Sequence, residues 1–160
     1  MSTAGRRPKR EAKPGGAGAS KLRLRMASRR NAIAPTVERI LAAIEPAGLA
    51  LEQRENLAVA LAEALSNAAV HGNRLRANSR VSVTVEVEPG HVSIEIRDSG
   101  SGFDRGALPD PSEPEHLLDT HGRGVFLMGR LVDEIHYNQK GNRVRLSIRR
   151  HPHAHFPGRT

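Results

Sequence analysis

Between Val81 and Ile96 the chain alternates apolar and polar residues twice, with Pro89-Gly90 between the two runs. Val81, Val83, Val85 and Val87 share one parity, and Val92, Ile94 and Ile96 share the next. Successive side chains of a strand point to opposite faces, so the pattern predicts a β-hairpin with one apolar face. Ser82, Thr84 and Glu86, with Ser93, Glu95 and Arg97, make the other face polar. A sheet with one apolar face must cover it with a second layer and leave the polar face to water. That requirement restricts the architectures open to the rest of the chain.

The cover is predicted to be helical. Pro35 suits the first turn of a helix, because its missing N–H and fixed φ cost nothing there. Val37, Ile40, Leu41 and Ile44 follow at helical spacing, and Pro46-Ala47-Gly48 ends the element. A second helix is expected from Leu51 to Val70, apolar around most of its surface and closing at Gly72 or Asn73. Val125, Met128, Leu131, Val132 and Ile135 predict a third helix running toward a strand. Leu22 and Leu24 alternate with Lys21, Arg23 and Arg25 as a short strand. Gly141-Asn142 turns into a last strand carrying Val144, Leu146 and Ile148 on one face. Residues 105–121 contain three prolines and several acids, and read as a mobile loop. The expectation is one two-layer α/β (α+β) domain over residues 21–150, between a basic tail (1–20) and a short tail (151–160).

The 160 residues suffice for one core. Cysteine is absent, which excludes disulfides and thiolate metal sites and suits a reducing cytoplasm. No apolar run is long enough to span a bilayer, and no apolar segment follows the basic N-terminus, so neither a membrane protein nor a secretory signal is expected. The net charge of +8 raises the question of nucleic acid. Half of it sits in residues 1–20, where Arg6, Arg7, Lys9, Arg10 and Lys13 face only Glu11, a net of +4. That Gly/Ala/Pro-rich segment cannot bury a core and is expected to be disordered. With three Phe, one Tyr and no Trp, platforms for base stacking are scarce, and nucleic acid is not an expected partner. His151, His153 and His155 read as a solvated tail rather than a metal site.

Three segments carry candidate chemistry. Glu63, Asn67 and His71 are spaced i, i+4, i+8 on an otherwise apolar helix, so they form one stripe. The stripe is either an exposed face or the wall of a cleft. Asp98 has the parity of Ile94 and Ile96 and points to the core side; a strand-end turn aspartate would show the same pattern. An inward carboxylate needs hydrogen bonds, and Gly100 and Gly102 permit a tight turn beside it. Gly122-Arg123-Gly124 precedes the third predicted helix, where free N–H groups and the dipole favour phosphate. Arg123 adds a possible phosphate contact or is simply solvated. A lone Gly-x-Gly is also compatible with an ordinary loop. No P-loop motif is present.

Taken together and in this order, Glu63-Ala-Leu-Ser-Asn67-Ala-Ala-Val-His71-Gly72, Asp98-Ser-Gly100-Ser-Gly102-Phe103-Asp104 and Gly122-Arg123-Gly124 resemble the N, G1 and G2 boxes of the ATPase superfamily that contains gyrase, histidine kinases and MutL. The His71-Gly72 ending is similar to the small bacterial anti-sigma-factor serine kinases; histidine kinases commonly carry lysine near that point. The resemblance implies the Bergerat ATPase fold, a two-layer sandwich with a mixed, mostly antiparallel sheet and helices on one face. It implies ATP or ADP with Mg²⁺, Glu63 as general base, and Asn67 as an Mg²⁺ ligand. Nucleotide contacts would come from Asn67, His71, Asp98, Gly100, Gly102, Gly122, Arg123, Gly124 and Val125, with Asp98 on the adenine amine. The implied partners are a sigma factor or similar regulator, a small antagonist protein as phospho-acceptor, and a second copy of the chain. Two other readings are a nucleotide-dependent switch that transfers no phosphate and a detached histidine-kinase ATPase domain.

Overall fold

The structure, a computed structural model, describes residues 19–102 and 120–151. Nearly all of the two expected tails, the loop 105–119 and the residues Phe103 and Asp104 lie outside the described residues. Eight elements run in the order β1 (Ser20–Ala27), α1 (Ile33–Ala43), α2 (Leu51–Ser66), β2 (Arg80–Glu88), β3 (His91–Arg97), α3 (Thr120–Leu131), β4 (Glu134–Tyr137) and β5 (Arg143–Arg149). The strands form one sheet in the order β1-β2-β3-β5-β4. All of its pairings among the described residues are antiparallel, in line with the mostly antiparallel sheet that the resemblance implied. The reason is local: β5 turns back from β4 through Asn138–Gly141 and inserts between β4 and β3, running against both.

The predicted hairpin forms in register, with Val83 opposite Ile96, Val85 opposite Ile94 and Val87 opposite Val92. These residues are buried, and so are Ile40 and Ile44 near α1 and Leu57, Leu61 and Leu65 of α2, in one apolar cluster. The helices therefore cover one face of the sheet, as the alternation requires. Removing one of these fully buried side chains, for example Ile94→Ala, is expected to cost about 2–5 kcal/mol.

Several boundaries differ from the sequence reading. Helix α1 starts at Ile33, two residues before Pro35, which still lies in the first turn, where an N–H is not needed. Gly48, at φ 64, ends the turn after α1 in the left-handed conformation. At the start of α2 the Ala50 N–H donates to Gln53 Oε1 at 3.2 Å, and Gln53 Nε2 donates to the Arg149 carbonyl at 2.7 Å. That second bond ties the helix to the end of β5. Helix α2 stops at Ser66 and passes into a π-helical turn, Asn67–Gly72, instead of continuing as an α-helix to Val70. Helix α3 starts at Thr120, so Gly122-Arg123-Gly124 forms its first turn and does not precede it. Ile135, read with that helix, belongs to β4. No helix among the described residues is long and apolar enough to cross a membrane.

Candidate functional site

The three sequence boxes meet where the end of α2, the segment after β3 and the first turns of α3 converge. In the π turn the Asn73 N–H donates to the Ala68 carbonyl, five residues back, at 2.8 Å. Glu63 and Asn67 are half-buried, whereas His71, in the π turn, is exposed. Single π turns inside helices recur at functional sites.

The turn carries Gly72 onto Asp98. A Cβ on Gly72 would lie 2.6 Å from Asp98 Oδ1, and a Cβ on Gly100 would run into the Gly72 carbonyl. Only glycine permits that double approach. The Gly100 N–H donates to Asp98 Oδ1 at 2.7 Å, so Asp98 is both the turn aspartate and the inward aspartate of the two sequence readings. Burial raises the Asp98 carboxyl above its ordinary value, against the Gly100 N–H bond and the Lys140 ammonium, which lower it.

Two asparagines that the sequence reading places only at a helix end and a turn hold this arrangement. Asn73 is 3 % exposed. Its Nδ2 donates to Ser28 Oγ and its Oδ1 accepts the Ser99 N–H, both at 2.8 Å. One side chain thereby ties the π turn to the end of β1 and to the residue after Asp98. Asn142 holds Asp98 from the sheet side: the Asp98 N–H donates to its carbonyl at 3.0 Å, and its Nδ2 donates to the Asp98 carbonyl at 3.5 Å. Asn138 Nδ2 donates to Asn142 Oδ1 at 2.8 Å and keeps that amide oriented. Asparagine directly after a helix-ending glycine, and a pair of asparagines four apart around a turn, were the available signals. The sequence reading takes Asn73 as a helix end and Asn142 as part of a turn, and does not single out Asn138.

At the other end Glu63 meets α3. A Cβ on Gly124 would fall on the Glu63 carboxylate. The Glu63 and Asn67 side chains form no hydrogen bond or ion pair with a described residue. The backbone of Gly122, Arg123 and Val125 lies in α3, but the side chains of Arg123 and Val125 lie outside the described residues. Gly102 stands apart from the Gly72–Asp98 contact. At φ 81 it packs its α-carbon against the Lys140 carbonyl, so its first task is to seat the segment after Asp98 on the β4–β5 turn.

A serine-protein kinase RsbW of Oceanobacillus iheyensis is 29% identical over 99 residues, which cover 58% of this chain and 63% of that protein. The chain thus spans less than two thirds of that relative. An anti-sigma F factor of Clostridium botulinum is 28% identical over 103 residues (60% and 71% of the two chains), and an RsbW of Bacillus licheniformis is 33% identical over 96 residues (56% and 60%). The solved structure of the RsbU and RsbW domains of Rv1364c from Mycobacterium tuberculosis superposes with a TM-score of 0.55 at 17% identity. It covers 81% of this chain and 32% of that one, and bears on the fold alone. The model of the histidine kinase-like ATPase domain matches residues 26–148, a span that runs from β1 into β5 and takes in every residue of the site, and by that match the chain belongs to the histidine kinase-like ATPase domain family.

Proposed function

We propose that the chain is an ATP-dependent serine/threonine kinase of the anti-sigma type. In this reading it grips a sigma factor or similar regulator and phosphorylates a hydroxyl on a small antagonist protein. The observation that carries it is that α2 and the turn after it bring Gly72 against Asp98 and Gly100, and Glu63 against Gly124 of α3. The family and the names of the relatives support the same reading.

In this reading the Asp98 carboxylate accepts from an exocyclic adenine amine, a group that guanine replaces with a carbonyl. The first-turn N–H groups of α3 are suited to phosphate. Asn67 offers a hard amide oxygen, and among the described residues there is no group of three or more His, Cys, Asp or Glu that would hold a metal unaided. That donor set fits Mg²⁺, which takes few protein oxygens beside phosphate and water and neutralises charge on the transferring group. Glu63 accepts the proton of the attacking hydroxyl as its oxygen bonds to the γ-phosphorus, and the bond to the β-phosphate oxygen breaks to release ADP. Family membership also supports a homodimer.

The test is transfer from γ-labelled ATP to candidate antagonists, followed by acid. Acid-stable label on the acceptor is expected, and Glu63→Gln should slow transfer by about 10²–10⁴-fold while nucleotide still binds. Acid-labile label would favour the histidine-kinase reading. Nucleotide-dependent partner binding with no labelled acceptor would favour the switch.

A further inference from the structure

Where β1 runs out and the π turn closes, two short segments lie side by side. The Ser28–Asn73 hydrogen bond ties them together at 2.8 Å, and Ala27 pairs with Arg80 across the sheet. Arg29 and Arg30 follow Ser28; Arg74, Leu75 and Arg76 follow Asn73. All five of these residues are exposed. The four arginines make no ion pair with a described residue. Residues 21–37 and 64–85 contain no Asp or Glu. Of the acids that border these stretches, Glu38 and Glu63 make no ion pair with a described residue, and Glu86 is held by Lys21. Asp98, packed on Gly72, takes the Gly100 N–H.

The backbone of the second segment is strained. Arg74 and Leu75, at φ 51 and 52, are the only non-glycine residues of positive φ among the described residues. That region costs free energy for any residue with a Cβ. Hydrogen bonds hold it in place. The Leu75 N–H donates to the Ala69 carbonyl at 2.9 Å, the Ser79 N–H donates to the Arg76 carbonyl at 3.0 Å, and Arg80 Nη1 donates to the Ala77 and Ser79 carbonyls, both at 2.9 Å. A loop that only joined α2 to β2 would be better served by glycine at these two positions. Instead a strained backbone presents Leu75, 40 % exposed, between two arginines.

We infer that this loop and the Arg29-Arg30 turn beside it dock a segment of a partner protein in which carboxylates flank an apolar residue. The carboxylates meet the guanidinium forks, which pair with them bidentately, and the apolar residue packs on Leu75. An apolar anchor inside a polar rim is the ordinary anatomy of a protein interface. Nucleic acid fits less well: Leu75 offers nothing to a phosphate, and residues 28–30 and 71–80 supply no Phe, Tyr or Trp on which a base could stack.

The surface goes beyond the kinase reading, and its test uses the full chain without nucleotide, so either can fail alone. The probe is a fluorescent peptide in which Glu pairs flank single Leu residues, at about 0.15 M salt. Beside it stand a Gln/Leu peptide, a Glu/Ser peptide and a single-stranded oligonucleotide of equal charge. The Glu/Leu peptide is expected to bind best. Replacing Arg74 and Arg76 together by Ala, or Arg29 and Arg30 together, should weaken it about tenfold or more, whereas Lys21→Ala, on an exposed and already paired lysine, should change it less than about twofold. Leu75→Ser should weaken the Glu/Leu peptide and leave the Glu/Ser peptide unchanged. Arg74→Gly controls for folding: glycine suits that φ, so the variant should melt no lower than the wild type and still bind more weakly. Equal binding of the three peptides, an oligonucleotide that binds as tightly, or arginine variants that bind like the wild type would overturn the inference. So would a change of self-association in sedimentation for the Arg74/Arg76 variant, which would assign the patch to a second copy.

Discussion

The Asp98 and Glu63 ends of the candidate site are built differently. At the Asp98 end nearly every polar group already has a protein partner. Gly100 bonds the carboxylate, Asn142 holds the Asp98 backbone, and Asn73 joins the π turn to Ser28 and Ser99. At the Glu63 end the two side chains that would act on phosphate, Glu63 and Asn67, meet no polar partner among the described residues, and a Cβ on Gly124 would fall on the Glu63 carboxylate. A site can recognise a flat base with a rigid frame. Groups that must move a proton and share a metal ion gain from being left unpaired until substrate arrives. The difference suggests that one end is finished by folding and the other by binding.

The comparison breaks or sharpens under substitution of its glycines. The largest effect is expected at Gly102→Ala. The added Cβ would meet the Lys140 carbonyl, which is backbone, at a φ of 81 that alanine resists. Strain and overpacking together should cost about 3 kcal/mol or more, read by urea denaturation. A loss below about 1 kcal/mol would show that the Asp98 end is not rigid. Gly124→Ala should behave in the opposite way. Its Cβ meets the far end of the Glu63 side chain, which can swing aside, so stability should change by less than about 1 kcal/mol while phosphoryl transfer falls. If stability falls as it does for Gly102→Ala, the two ends are alike after all.

The smallest effect is in pH dependence. Burial raises the Asp98 carboxyl, so the folded chain holds that proton more tightly than the unfolded chain. Its contribution to stability is complete below the ordinary carboxylate value and is lost as pH rises through the raised one. Asp98→Asn removes the titration. The stability of the wild type relative to Asp98→Asn should therefore decline as pH rises across that window, measured by denaturation at a series of pH values. A flat difference would mean that Asp98 is as well solvated as an exposed carboxylate.

The layers of the fold could be read from alternation alone, because Val81 to Ile96 leave one face no alternative to burial. The candidate residues could be read from the three motifs. What was not legible was how they are held. A strict i, i+4, i+8 pattern presumes an α-helix, and the sequence of residues 67–72 carries no local mark of the π turn. The roles of Asn73 and Asn142 depend on contacts between segments far apart in the chain, which no local propensity encodes. Gly122-Arg123-Gly124 was read one turn too late because glycine is a weak helix former, and packing of α3 against α2 overrides that preference.

The place of β1 in the sheet also bears on how the chain is made. Hairpin β2–β3 closes through a turn at Pro89-Gly90, so its pairing is local and fast. Strand β1 leaves the ribosome well before either, yet it pairs with β2 and nothing else in the sheet. Until Arg80–Glu88 has been synthesised, β1 waits with an open edge. Such an edge invites pairing with another nascent chain. Lys21, Arg23 and Arg25 occupy alternate positions along it, so two such strands meeting on a polysome would bring like charges together.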